Sequence, residues 1–462
     1  MGELLAGIDV GTQGVRVVCT TPAGEVVART AAPLAVPPPG PAQEQDPRDW
    51  WEAVATCLRQ LCEHRAQVAG LAVACTSGTV CILDDRSEPL MNALLYSDTR
   101  AAGRSRFDVS WAAAKLDWLA AERPDVFGSA ALFTSPGGYL SRRFTGEPVA
   151  VDYSQALKFG YDLRGESWPS DLAVGAERLP PAVPPGTAMG RVRPEVAAEL
   201  GLGPDVTVCA GLTDGVAAQL ACGAVDPGSG RWVTVVGSTL VWKGAATEPI
   251  DAAAQGVYSH RGPRGVWLPG AASNAGGRIV SEWFEKARLP ELDARVPDRP
   301  PRARVYPSLI VGERFPFRST TFVPFSTPDE APEDDRYAGC LAGVAFVERW
   351  GYEVLGDLGL QPPVAVATTG GAVRSRAWLQ LRAVVLQVPL AVPAEPGSAF
   401  GAAVAAGAGH YADVLEAAEA MVKWGPGVEP RPQHRHEWSD AHERFKDECR
   451  RRLEGDESGP PR

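Results

Sequence analysis

Two distant stretches of the chain, "IDVGTQGVRVV" from Ile8 and "VTVVGSTLVWK" from Val233, follow one plan: an apolar run, a short turn of glycine with hydroxyl residues, and a second apolar run. A strand, turn, strand unit that occurs twice implies two similar halves, each built around its own sheet. With 462 residues the chain is also too long for one ordinary core. In the first copy, Asp9 stands directly before the turn. Glycines let backbone N–H groups converge on an anion, and Thr12 adds a hydroxyl donor, so "GTQG" is a candidate cradle for phosphate oxygens. Asp9 beside it suits a hydrated magnesium ion, which keeps several waters and takes one or two carboxylates. Taken alone, the motif is more simply a glycine-rich hairpin whose aspartate satisfies turn amides. No GxxxxGK[ST] loop occurs.

The formal net charge of −11 argues against nucleic-acid or anionic-membrane partners, because a polyanion is repelled rather than steered in. Nine cysteines form no CxxC pair and no Cys/His metal spacing, which suits reduced thiols in a cytoplasm, with no disulfides and no structural zinc. No run approaches the roughly 20 apolar residues that cross a bilayer, and no leader pattern opens the chain. A cytoplasmic protein with small ligands is expected. Four of the six histidines fall between positions 410 and 443 and read as a solvated face.

Along the chain, a three-strand meander opens the sequence, with strands over 3–9, "VRVVCT" and Val26 to Ala28. A helix then starts at Asp46 as N-cap with Pro47 in its first turn, and Trp50, Val54, Cys57, Leu58 and Leu61 make its apolar stripe. The near-continuous apolar "VAGLAVAC" predicts a strand buried on both faces, ending in the polar "TSGT", where α/β sheets place ligands. "DVTVCAGLTDGVAAQLACGA" repeats the strand, acid and helix pattern around Asp214, which by itself is equally an N-cap. "GSAFGAAVAAGAGHYA" is rich enough in small residues to pack very close to its neighbours.

Five segments in order across residues 3–410 resemble the FGGY carbohydrate kinases, relatives of hexokinase, actin and heat-shock chaperone ATPases. They are "GIDVGTQGVR", "LLYSDTRA", "GLTDGVAAQLACGA", "GSTL" and "TTGGAVRSRAWLQLRA" with "GSAFGAAVAA". "ACTSGT", "DYSQALKFGYDL" and "GAASNAGG" resemble the D-ribulose kinase branch most, with xylulokinases a step further away. The resemblance implies an α/β fold of two ribonuclease H-like (actin/hexokinase-type) domains flanking a cleft. The boundaries expected are 1–222 plus 400–454 for the sugar-side domain, 223–399 for the nucleotide-side domain, and a disordered tail over 455–462.

The implied activity is ATP- and Mg2+-dependent phosphoryl transfer to a terminal hydroxyl of a ketopentose, D-ribulose first, with D-xylulose or another ketose or polyol as the alternative. An actin-like or chaperone-like conformational ATPase is the reading from another class. By the resemblance Asp214 is the general base toward the sugar hydroxyl, and Asp9 the magnesium-side acid. Gly11, Thr12 and Gln13 form one phosphate turn; Gly237, Ser238 and Thr239 form the opposing one. Gly370 and Gly371 let the backbone pass close to the nucleotide, with Ser375 and Trp378 at the adenosine pocket; Trp378 is equally a core anchor. Ser77, Asp98 and Arg100 are the sugar-side residues, although Asp98 and Arg100 also suit a plain ion pair. The sequence departs from the family pattern at Ala372, where a third glycine is common, and at Ser375 and Ser97, where asparagine is common. A monomer or homodimer is expected.

Overall fold

In the computed structural model, residues 3–250 and 252–457 are described. The chain forms two compact units. One comprises the chain up to Gly223 with His260–Gly265 and Glu395–Lys423; the other comprises Ala224–Ser259, Val266–Ala394 and the chain from Trp424.

The first unit is built on a six-stranded sheet: β1 (Leu4–Gly11), β2 (Gly14–Thr20), β3 (Val26–Pro33), β4 (Val68–Cys75), β5 (Ala188–Arg191) and β6 (Thr207–Thr213), in the order β5-β6-β4-β1-β2-β3. β1, β2 and β3 form the antiparallel meander, and β3 runs on to Pro33, beyond the three residues the sequence suggests. β4 lies parallel to both β1 and β6. β1 and β4 are buried along almost their whole length, as continuous apolar runs covered on both faces must be. Helix α1 (Pro47–Arg59) begins as its sequence dictates, with the Asp46 side chain accepting from the Arg48 N–H and Trp50, Val54, Cys57 and Leu58 buried. Two further helices frame the site of interest: α2 (Tyr153–Lys158) and α3 (Asp214–Ala221).

The second unit repeats this layout. Its sheet comprises β7 (Arg231–Val236), β8 (Leu240–Lys243), β9 (Val257–Arg261, of which the part up to Ser259 falls in this unit), β10 (Trp267–Ala272), β11 (Ala365–Gly370) and β12 (Leu390–Ala391), in the order β9-β10-β8-β7-β11-β12. The antiparallel trio β7, β8, β10 corresponds to β1, β2, β3, and β11 lies parallel to β7 as β4 does to β1. The duplicated turn is thus the first hairpin of each sheet. Helices α4 (Glu333–Asp357) and α5 (Arg376–Leu386) cover this sheet. A buried fork joins them to it: Arg382 Nε and Nη2 donate to Glu348 at 2.7 and 2.8 Å, and Nη1 donates to Thr368 Oγ1 on β11 at 2.7 Å.

Helix α6 (Ser398–Ala406) returns to the first unit, and its small residues are explained by contact. A methyl group on Gly7 of β1 would lie 1.8 Å from the Ala399 carbonyl oxygen, and one on Gly401 would lie 1.9 Å from that of Ala217 on α3. Only glycine permits this approach of helix to strand and of helix to helix. The last helix, α7 (Arg435–Glu457), corrects two expectations. The expected first domain includes residues 424–454, yet the division falls after Lys423 and α7 belongs to the second unit. The reason is packing: Trp438, Phe445 and Cys449 are buried in that unit's core, and Phe445 stacks on Tyr306 at 5.9 Å. The tail expected to be disordered from 455 is helical to Glu457, and the remainder lies outside the described residues.

Candidate active site

In the first unit the sheet register places the acids. β4 is the common neighbour of β1 and β6, with Asp9 opposite Ala74 and Thr213 opposite Cys75. Asp9 and Asp214 therefore stand at the same edge of the sheet, one strand apart, a lateral separation of about 10 Å at ordinary strand spacing. Asp9 is 8% exposed, and its neighbour across the hairpin, Arg16, reaches it at only 3.4 Å. Burial pushes the Asp9 carboxyl up to about 6; the Asp214 carboxylate pushes the same way and Arg16 pulls it back. Asp214 is the first residue of α3 rather than its cap, which is Thr213. One of its carboxylate oxygens accepts the Gly215 N–H at 2.6 Å.

The first turn pairs Gly11 with Gly14, and a methyl on Gly14 would lie 2.7 Å from the Ala32 oxygen. Thr12 and Gln13 form its tip, fixed by their carbonyls: Gln45 Nε2 donates to Thr12 O at 2.8 Å and the Leu34 N–H donates to Gln13 O at 3.0 Å. Gln45, buried and held in turn by Trp50 Nε1 at 3.1 Å, supports the turn from below. Sequence reading missed it, since a glutamine before a helix carries no motif.

The sugar-side residues divide. Ser77 Oγ is buried and makes no hydrogen bond, which leaves a hydroxyl for a ligand. Asp98 and Arg100, expected to address the sugar, are instead engaged with one another. Asp98 is 1% exposed, Arg100 Nε and Nη2 donate to its Oδ2 at 3.0 and 2.7 Å, and the Gln43 N–H donates to the same oxygen at 2.9 Å. Arg100 Nη2 also donates to Glu44 at 2.6 Å, and the guanidinium lies 4.3 Å from the Trp118 ring centroid. A carboxylate so fully satisfied braces the loop rather than reading hydroxyls.

The second unit contains a cavity of about 790 Å³ lined by the expected Gly237, Ser238, Gly371, Ser375 and Trp378. Thr239 and Gly370 are outside the lining and shape it. Gly370 has φ +91°, and a methyl on it would lie 2.3 Å from the Val236 oxygen, whereas one on Gly371 meets nothing within 4 Å. Trp378 does both things its sequence allowed: it is 5% exposed with Nε1 donating to Leu341 O at 3.2 Å, and its ring lines the cavity. Ser375 caps α5 by accepting the Trp378 N–H at 3.0 Å and donates to Asp293 at 2.8 Å, to which Tyr337 also donates at 2.7 Å. Phe284, Leu289 and Pro290 supply apolar lining.

Asp293 and Tyr337 carry no sequence motif, whereas the glycine pair Gly276 and Gly277 closes the quoted "GAASNAGG". The glycines lie against the "GST" turn, with the Gly277 N–H donating to Gly237 O at 2.8 Å and no room for a side chain at Gly276. The buried Glu313 anchors the segment leading to them, accepting from Ser273 Oγ, the Asn274 N–H and Tyr306 Oη at 2.9, 2.7 and 2.6 Å.

Elsewhere, among the described residues, the one acid and histidine group close enough to share an ion is Glu353, His442 and Glu443. Lys446 Nζ already lies 2.8 Å from both carboxylates, so a cation is in place. His442 is fully buried, contrary to the solvated face expected of the late histidines, because α7 packs its ring against Phe346. No helix among the described residues is long and apolar enough to cross a membrane.

Two sheets of matching topology, an acid pair on one and a glycine-lined cavity in the other, are compatible with a sugar kinase, and comparison with known proteins establishes that class. The chain belongs to the FGGY family of carbohydrate kinases: it matches the N-terminal domain over residues 4–107 and 103–221 and the C-terminal domain over 233–410. Among curated relatives it is 28% identical to the xylulose kinase of Streptomyces rubiginosus, covering 88% of each chain, and 24% identical to that of Bacillus subtilis, covering 94% of each. It superposes on the crystal structure of xylulose kinase from Rhodospirillum rubrum with a TM-score of 0.84 at 27% identity, covering 96% of this chain and 98% of that one. The two α/β units are therefore the actin/hexokinase-like domains of a carbohydrate kinase, and the protein is an enzyme.

Proposed function

We propose that the protein transfers the γ-phosphoryl group of ATP to a terminal hydroxyl of a ketopentose. The observation that carries this is the meeting of Asp9 and Asp214 at one sheet edge beside the unpartnered Ser77 hydroxyl. Asp214 orients the acceptor hydroxyl and takes its proton as the oxygen bonds to phosphorus and the bond to the ADP oxygen breaks. An ordinary carboxylate suffices, because a loose transition state needs alignment more than early deprotonation.

The backbone N–H groups of the Gly11 to Gln13 turn, and those of Ser238 and Thr239 in the second turn, whose Gly237 N–H is used by Thr239 O at 3.1 Å, hold phosphate oxygens. The 790 Å³ cavity is large enough for a nucleoside, with Phe284 and Trp378 as apolar walls and Ser375, Asp293 and Tyr337 as polar groups that orient it. Asp9, a single buried carboxylate with one long contact, fits a magnesium ion that retains most of its waters. When bound, that ion neutralises phosphate charge.

The names of the curated relatives favour D-xylulose over the D-ribulose suggested by the sequence motifs. Assay of ATP consumption against a panel of ketoses, aldoses and polyols tests the reading; equal rates with and without every sugar would overturn it. Asp214→Asn is expected to lower kcat by about 10²- to 10⁴-fold while nucleotide and sugar still bind by calorimetry.

A further inference from the structure

Gln45 ends the short strand Glu44–Gln45 just before Asp46, the cap of α1, and is buried. Its side-chain amide is fully used: Nε2 donates to Thr12 O and to Ala35 O, both at 2.8 Å, and Oε1 accepts Trp50 Nε1 at 3.1 Å. These partners fix which way the amide faces, since a backbone carbonyl only accepts and an indole N–H only donates. Only glutamine and asparagine end in two N–H donors and an acceptor in one plane, and asparagine is a carbon shorter. The other carbonyl at the tip of the first turn, Gln13 O, is taken by the Leu34 N–H at 3.0 Å. Both tip carbonyls are therefore occupied by the protein, while the Thr12 and Gln13 N–H groups bond to none of the described residues. The Thr12–Gln13 peptide is trans, so its C=O and N–H point in opposite directions. The bond from Gln45 to the carbonyl thus aims the unused Gln13 N–H away from Gln45 and out of the turn.

We infer, on the kinase reading above, that Gln45 is a positioning residue for phosphoryl transfer: by holding the Thr12 carbonyl inward it presents the Gln13 N–H to an oxygen of the transferred phosphoryl group. A phosphoryl oxygen is met by a donor, as an anion requires. With the Gln45 amide removed, the Thr12–Gln13 peptide is free to turn over, and a carbonyl oxygen, the negative end of the peptide dipole, takes the place of the N–H. The phosphoryl group then loses one bond and gains a repulsion. Trp50 acts only through Gln45, by keeping Oε1 away from the two carbonyls. The backbone at residue 45 is held by other means, since its strand pairs with Ala93–Leu94 and the Gln43 N–H donates to Asp98 at 2.9 Å, so a change of the Gln45 side chain acts on the turn.

The test measures kcat and the KM for sugar, with D-xylulose or D-ribulose as acceptor, in the wild type, Gln45→Met, Trp50→Phe and the double variant. Gln45→Met, similar in length and without a donor, is expected to lower kcat by about 10- to 100-fold, the range for a hydrogen bond to a charged group, and to change the KM for sugar by less than about threefold. Trp50→Phe is expected to lower kcat by less than Gln45→Met does. The double variant is expected to lose no more than Gln45→Met alone, because Trp50 reaches the turn only through the amide. Full kcat in Gln45→Met, a KM for sugar that rises as much as kcat falls, or additive losses in the double variant overturns the inference while leaving the kinase reading intact. Phosphorylation of no sugar by the wild type overturns both. Circular dichroism checks the fold; if Gln45→Met does not fold, Gln45→Glu, which keeps the acceptor for Trp50 and removes both N–H donors, is expected to show the same loss of kcat, and full kcat there overturns the inference.

Discussion

Ser154 accepts the backbone N–H of Thr213 through its Oγ at 2.9 Å, and both residues are buried. The residue held in this way immediately precedes Asp214, so a side chain on α2 sets where β6 ends and where the acid points. Ser154→Ala leaves a buried N–H unpaired, with an expected cost of about 1–2 kcal/mol in urea unfolding. It is also expected to lower kcat by up to about 100-fold, since an ångström of misplacement is enough for that. Loss of stability at full kcat would show that the bond does not position the acid.

The two glycines that follow β11 differ in kind. Gly370 has a left-handed backbone and no room for a methyl, whereas Gly371 faces open space within the cavity lining. Gly370→Ala is expected to destabilise the protein by about 1–3 kcal/mol. Gly371→Val is expected to leave the melting temperature within a degree or two while raising the KM for ATP, because its side chain takes space the nucleotide needs. A raised KM for the sugar instead would place the nucleotide elsewhere.

Lys115 is 1% exposed, and its ammonium donates to the carbonyls of Tyr96, Val109 and Trp111 at 3.4, 2.9 and 3.3 Å. Burial pulls it down to about 8, against the opposing pull of the Asp98 and Asp108 charges. Lys115→Met is expected to cost about 2–3 kcal/mol in unfolding free energy. It is also expected to raise the KM for sugar more than that for ATP, since the loops it joins are in the first unit.

Acid sensitivity of the second unit is expected to centre on Glu353. Burial alone would raise its carboxyl, but hydrogen bonds from His442 and Lys446 hold it at about 2. Its folded value lies below its unfolded one, so its contribution is complete above about pH 4.5 and is lost as pH falls toward 2. His442 is held below its ordinary 6.5, mainly by burial, so protonation of the unfolded state draws stability away as pH falls below 6.5. Asp152 in the first unit, raised to about 6 by burial, acts in the opposite sense as pH falls through 6. The difference between wild type and Glu353→Gln in urea midpoint is therefore the measurement: it is expected to be largest above pH 4.5 and to shrink toward pH 3. A constant difference would remove Glu353 from the acid response.

The site roles of Asp9 and Asp214 came only with the family resemblance; what local pattern alone carried was the duplicated hairpin, the Asp46 cap and the glycine turns at residues 11, 237 and 370. Each depends on backbone geometry or on periodic burial within a few residues, so neighbours in sequence suffice to state it. The tight fit of α6 was legible too, because a run of Gly and Ala is useful only where another backbone comes close. What the tertiary structure decided were matters of partnership across long separations. Gln43 and Arg100 saturate Asp98, so that a carboxylate suited to polyols became a brace. Tyr337 and Asp293 join Ser375 in the cavity of the second unit. Trp438 and Phe445 draw the last helix into the second core, and Lys158 comes to rest on Trp111. A side chain's chemistry is written in its name, but whether it is already satisfied depends on atoms that only the folded chain brings beside it.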